Sequence, residues 1–61
     1  MEWNYKITVF TTEGVIKKYF YKKKIALGTI IDLKKRFDGF LIGVLSEKID
    51  GKWNPKCSIK K

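Results

Sequence analysis

Two Asp-Gly pairs, Asp38-Gly39 and Asp50-Gly51, bracket FLIGVLSEKI, whose first six residues form the most apolar run in the chain. Asp-Gly suits the centre of a two-residue type I′ turn, because both positions there take φ > 0, so each pair predicts a β-hairpin tip. Residues 40–47 then read as a strand with an antiparallel neighbour on either side, the centre of a small sheet. Apolar side chains fall on both of its faces: Phe40, Ile42 and Val44 on one, Leu41 and Leu45 on the other. A chain of 61 residues has material for one core only. One face of the strand is expected to pack inward, and the other is where a partner would sit.

The flanking segments extend this pattern. Residues 3–11 alternate, with Trp3, Tyr5, Ile7 and Val9 on one side, and residues 15–22 form a second strand of β-branched and aromatic residues beyond a turn at Thr12-Glu13-Gly14. With Glu13-Gly14 as the loop, Ile7 falls opposite Phe20 and Val9 opposite Lys18. The core face then holds Tyr5, Ile7, Val9, Ile16 and Phe20, and the outer face Lys6, Thr8, Phe10, Lys17, Tyr19 and Tyr21. Residues 22–28 (KKKIALG) make a connection with room for one helical turn, which Gly28 ends. Residues 29–37 read as a third strand folded back at Asp38-Gly39. It brings Ile31, Leu33 and Phe37 to the core face, and Ile30, Asp32, Lys34 and Arg36 to the outer face beside Leu41, Gly43 and Leu45. A last strand spans 52–59, where Pro55 requires an edge position or a bulge. Gly43 marks a bend or a close approach by another segment. Five short strands in meander order predict a single all-β domain over residues 1–61, a small, partly open SH3-like barrel, with an OB-like barrel as the alternative. A helix of more than two turns between residues 25 and 46 is incompatible with that arrangement.

Several classes of chemistry lack their residues. The chain has no His and one Cys, so neither a Ser-His-Asp nor a Cys-His arrangement is available, nor an intrachain disulfide. Asp38, Asp50 and Glu13 are accounted for by turns; Asp32 and Glu47 lie diagonally across two expected strands with no cleft between them. No enzymatic activity, cofactor or metal site is expected. No uncharged run approaches the ~20 residues of a membrane span, and Met1-Glu2-Trp3-Asn4 lacks the basic-then-apolar form of a signal peptide. With its single Cys57, the chain is expected to be soluble and cytoplasmic, nucleoid-associated if it binds DNA. The absence of Gln and His beside abundant Lys and Ile leans towards a thermophile.

Charge supplies the positive indication. Fourteen Lys and Arg against six Asp and Glu leave a net charge of +8. Charge this dense implies an anionic partner, nucleic acid first (duplex DNA ahead of RNA) and an anionic membrane or an acidic protein next, unless the lysines serve only solubility. Lys22-Lys23-Lys24 reads as a solvated loop. Lys34-Lys35-Arg36 lies beside an expected hairpin tip, near Ile30, Leu41 and Leu45 on the outer face. Aliphatic wedges ringed by basic residues are what a minor-groove binder uses; an edge surface or homodimer interface is the plainer reading. Trp3 and Trp53 read as core or lid residues. The candidate nucleic-acid-binding residues are Ile30, Lys34, Lys35, Arg36, Leu41, Ile42, Leu45 and Lys52.

GFLIGVLSEKIDGKW is similar to a segment of the small crenarchaeal chromatin proteins of about seven kilodaltons. Gly39, Ile42, Gly43, Val44, Leu45, Gly51, Lys52 and Trp53 match one branch of that family without a gap, Ser46-Glu47-Lys48 matches a sister branch, and Thr11 to Gly14 resembles the turn of its first hairpin. The resemblance implies an SH3-like barrel that binds duplex DNA without sequence preference and bends it by wedging aliphatic side chains into the minor groove. Carried over by position, the DNA face would include Ile30, Lys34, Lys35, Ile42 and Leu45. The chain departs from the family in having no Trp ahead of Ile30, in placing Asp32 on the proposed face, and in the longer connection between Val15 and Thr29. Those departures fit a virus- or plasmid-borne relative with a different partner. The competing function is a small protein-binding module or inhibitor of phage, virus or mobile-element origin.

Overall fold

The first hairpin forms where alternation predicts it. In a computed structural model describing residues 3–61, β1 (Tyr5–Thr11) pairs antiparallel with β2 (Gly14–Phe20). Met1 and Glu2, part of the N-terminal stretch without signal character, lie outside the described residues. Thr11 pairs with Gly14, so the loop is Thr12-Glu13 and not Glu13-Gly14, and Val9 faces Ile16 in place of Lys18. Gly14 takes up the positive φ of 137° that closes the turn. Each partner moves by two residues, which leaves the faces as expected. Ile7 and Val9 are buried, with Tyr5, Ile16 and Phe20 packed against the core beside them.

The main correction concerns residues 23–36. They form a single α-helix, α1 (Lys23–Arg36), where a loop and a third strand were expected. Four strands and a helix therefore replace the five-stranded meander: β3 (Phe40–Ile49) and β4 (Lys52–Lys60) complete one open sheet in the order β2-β1-β3-β4. The antiparallel, mainly β character holds. The third strand and the SH3-like closure do not form. The physical reason lies in the connection. Since β2 and β3 both run antiparallel to β1, they are parallel to each other on either side of it, and a parallel pair needs a crossover of a dozen or more residues, usually a helix. Thr29, Ile30 and Ile31 weaken a helix by tenths of a kcal/mol each and Gly28 by about 1 kcal/mol. Burying Ile30 alone returns about 1.5–3 kcal/mol. Ala26 and Ile30 are buried, and Leu27, Leu33 and Phe37 continue the stripe at helical spacing. Lys34, Lys35 and Arg36 in the last turn suit the helix dipole; Lys23 and Lys24 at the other end oppose it.

Residues 40–45 do lie in the middle of the sheet, with β4 as the expected neighbour on one side and β1 in place of the third strand on the other. A bulge opposite Phe10 and Thr11 leaves Leu41 unpaired with β1 and turns Phe40 onto the helix side, where it is buried. From Ile42 onward the alternation runs opposite to expectation. Gly43 and Leu45 face the helix, while Ile42 and Val44 lie on the other side, because Gly43 pairs with Val9 and Leu45 with Ile7. Gly43 is where the helix seats: a Cβ there would stand 2.5 Å from Ile30 Cγ2. Asp38-Gly39 is accordingly a helix-to-strand turn and not a hairpin tip, closed by Phe40 N–H donating to Phe37 C=O at 3.1 Å. Asp50-Gly51 is the expected hairpin, with φ of 51° and 77°, as a type I′ turn demands. Pro55 sits at a second bulge on an edge strand.

Candidate nucleic-acid interface

The helix covers one face of the sheet, and the register places a second set of side chains on the other. Lys6, Thr8 and Phe10 come from β1, Val15, Lys17 and Tyr19 from β2, Ile42, Val44, Ser46 and Lys48 from β3, and Trp53, Pro55, Ser58 and Lys60 from β4. These fall into rows across the strands: Val15–Phe10–Ile42–Lys60, Lys17–Thr8–Val44–Ser58 and Tyr19–Lys6–Ser46–Pro55. Phe10 and Tyr19 are more than 40% exposed despite their size.

Charge is sorted between the two sides. Every ionisable group among the described residues of the open face is basic apart from the Tyr19 phenol: Lys6, Lys17, Lys48 and Lys60. The described carboxylates all lie elsewhere. Asp32 on α1 is bridged to Arg36 at 2.9 Å. Glu47 is on the helix side, 3.5 Å from Lys56 Nζ and accepting a hydrogen bond from the Tyr5 hydroxyl. Glu13, Asp38 and Asp50 occupy turns. Lys17 and Lys60 stand on the two edge strands, roughly 14 Å apart at the usual strand spacing. The positive charge therefore spans the sheet with no carboxylate among the described residues of that face to neutralise it.

The aromatic groups form a built feature. The rings of Tyr19 and Trp53 reach towards each other from the opposite edge strands, with centroids 5.8 Å apart. Lys6 Nζ lies 5.1 Å and Lys48 Nζ 5.9 Å from the Trp53 ring centroid. Beneath this cluster Ser46 is only 6% exposed although it belongs to the open face. Trp53 is thus neither a core residue nor a lid over the core. Trp3, the other indole, stacks on Tyr21 at 4.2 Å.

The residues singled out from the sequence do not form one site. Ile30 and Leu45 are fully buried between helix and sheet and have no access to a groove of DNA. Lys34, Lys35 and Arg36 are exposed in the last turn of α1, and Leu41 is exposed at the bulge. Lys52 is exposed beyond the Asp50-Gly51 turn. Ile42 alone belongs to the open face. Lys6, Lys17, Lys48, Lys60 and Trp53 were not singled out. For Lys48 and Trp53 the signal was present, since a two-residue loop at Asp50-Gly51 sets those residues directly opposite each other. Among the described residues no three His, Cys, Asp or Glu side chains are grouped to hold a metal, and no helix is long and apolar enough to cross a membrane. No family model, curated protein or solved structure matches the chain.

Proposed function

We propose that the chain is a non-enzymatic nucleic-acid-binding protein that holds its ligand on the open face of the sheet. The observation that carries this reading is the segregation of charge: Lys6, Lys17, Lys48 and Lys60 share a face with Phe10, Tyr19 and Trp53, and no described carboxylate joins them. Ammonium groups spread over a flat surface neutralise phosphates, and contacts of that kind position a polynucleotide without reading its sequence. The likeness of residues 39–53 to the crenarchaeal chromatin proteins leads to the same class of ligand. The wedge roles assigned by that likeness to Ile30 and Leu45 are not part of the proposal, because both side chains are buried.

The test is a fluorescence-anisotropy titration of labelled oligonucleotides at two salt concentrations. Binding in the range of about 10⁻⁴–10⁻⁶ M at physiological salt is expected, weakening steeply as salt rises. Lys6→Ala, Lys17→Ala, Lys48→Ala and Lys60→Ala should each lower the slope of log K against log salt by about 0.7–0.9. Lys34→Ala and Lys35→Ala, on the far side, should leave it unchanged. Absence of binding at low salt, or binding indifferent to the four sheet lysines, would defeat the proposal. A second reading rests on the adjacent apolar residues Val15, Phe10 and Ile42: a protein-binding module of phage, virus or mobile-element origin. Salt-insensitive capture of a protein, abolished by Phe10→Ala, would favour it.

A further inference from the structure

The cluster around Trp53 narrows the ligand further, and the narrowing rests on the proposed nucleic-acid reading. Two lysines stand near the indole, at 5.1 and 5.9 Å from its centroid, and Tyr19 flanks it at 5.8 Å. Lys6, Lys48 and Trp53 are half-buried, and a cation–π contact is worth about 0.5–1 kcal/mol at an exposed site and about 2 kcal/mol when desolvated. Stacking of a nucleobase on an aromatic side chain is worth about 1–3 kcal/mol. One stack is about equal to the two lysine contacts it replaces, so the exchange is favoured by what the freed ammonium groups gain on phosphates. The ammonium groups it displaces remain on flexible four-carbon stems, within reach of the phosphates on either side of the stacked base. Exchange of this kind gives stacking and charge neutralisation together.

We infer that the open face binds single-stranded DNA, with a base stacked on Trp53 in the place held by Lys6 and Lys48. A duplex does not offer the same contact, because each base face in it is covered by its neighbour. Of the aliphatic groups expected on a duplex-binding face, Ile30 and Leu45 lie in the core and Leu41 stands at the bulge, which leaves Ile42 alone on the open face. The row at the far end of the face is apolar at Val15, Phe10 and Ile42, with Lys60 at its edge. Covering a 2′-hydroxyl with such a surface costs its hydration without a replacement hydrogen bond, so the deoxy strand is the better occupant.

The experiment uses the whole chain carrying Trp3→Phe, which leaves Trp53 as the sole indole of the two in the sequence. Short oligo(dT), oligo(rU) and a duplex of equal length are titrated while indole emission and probe anisotropy are read together. Oligo(dT) should quench Trp53 and bind more tightly than the other two. Trp53→Ala should weaken oligo(dT) binding about five- to 150-fold, the equivalent of one lost stack, with the salt slope unchanged. Should Trp53→Ala fail to fold by circular dichroism, quenching in the parent and a smaller loss in Trp53→Phe carry the test. Duplex binding as tight as oligo(dT), with Trp53 unquenched, would overturn this inference and leave the nucleic-acid reading standing. Equal or tighter binding of oligo(rU) would overturn the assignment to DNA. No binding to any of the three would overturn both.

Discussion

Gly43→Ala tests the contact on which the architecture depends. A Cβ built at Gly43 stands 2.5 Å from Ile30 Cγ2 and 3.3 Å from the edge of the Phe40 ring. Carbon atoms in contact prefer about 3.5–4.0 Å, so the new methyl is roughly 1 Å too close to Ile30. Neither neighbour can yield freely, since Ile30 and Phe40 are among the most buried side chains of the protein. Overpacking of this kind costs about 1–3 kcal/mol. Against it stands the benefit of removing a glycine from a strand, about 0.5–1 kcal/mol. The expected net loss is about 1–2 kcal/mol, out of about 3–9 kcal/mol for a domain of this length. In a urea titration followed by far-ultraviolet circular dichroism, with a slope near 1 kcal/mol/M, the midpoint should fall by about 1–2 M. Ile30→Leu moves the branch away from the backbone and removes the clashing Cγ2. The double variant should therefore be more stable than the sum of the single changes predicts, with a coupling of about 0.5 kcal/mol or more. A Gly43→Ala protein that is as stable as the parent, or more so, would show that the helix does not seat on the strand at this point.

Further outcomes follow from the register and the helix termini. Leu45→Ala removes a fully buried side chain and should cost about 2–5 kcal/mol in the same titration, enough to unfold much of the protein. Ile42→Ala, three pairs from it on the half-buried open face, should cost clearly less; a reversal of that order would mean that β3 presents its other face to the helix. Lys23→Glu places an acidic group in a first helical turn that has none, and should raise thermal stability by about 0.3–1 kcal/mol at low salt and less at high salt.

Where local chemistry decides conformation, the sequence could be read directly. Asp50-Gly51 makes its hairpin because Asp and Gly tolerate the positive φ that the turn demands, whatever lies around them. The first hairpin turns Tyr5, Ile7, Val9, Ile16 and Phe20 towards the core as expected, since a clean period of two survives a shift of the partner by two residues. Pro55 lies at an edge and a bulge because it has no N–H to donate. The net positive charge and the absence of His are likewise properties of composition.

What tertiary structure decided begins with residues 23–36. Thr29, Ile30 and Ile31 favour a strand locally, and Gly28 reads as a stop. Exposed Ile25 and Ile31 blur the helical stripe of Ala26, Ile30, Leu33 and Phe37. The outcome turned on a demand from outside the segment: a four-stranded sheet needed one face covered, and the crossover from β2 to β3 was the chain available to cover it. The same demand set the register of β3. Gly43 had to face the helix to admit Ile30, so Leu45 went inward, Ile42 and Val44 went outward, and a bulge at Leu41 was needed to return Phe40 to the core. The proposed interface is a consequence of that choice. Each hairpin sets its own part of that face, Lys6, Lys17 and Tyr19 in the first and Lys48, Trp53 and Lys60 in the second, and the β1–β3 pairing is what joins the two parts. Period and turn chemistry act over a few residues; the covering of a sheet is settled by burial across the whole chain.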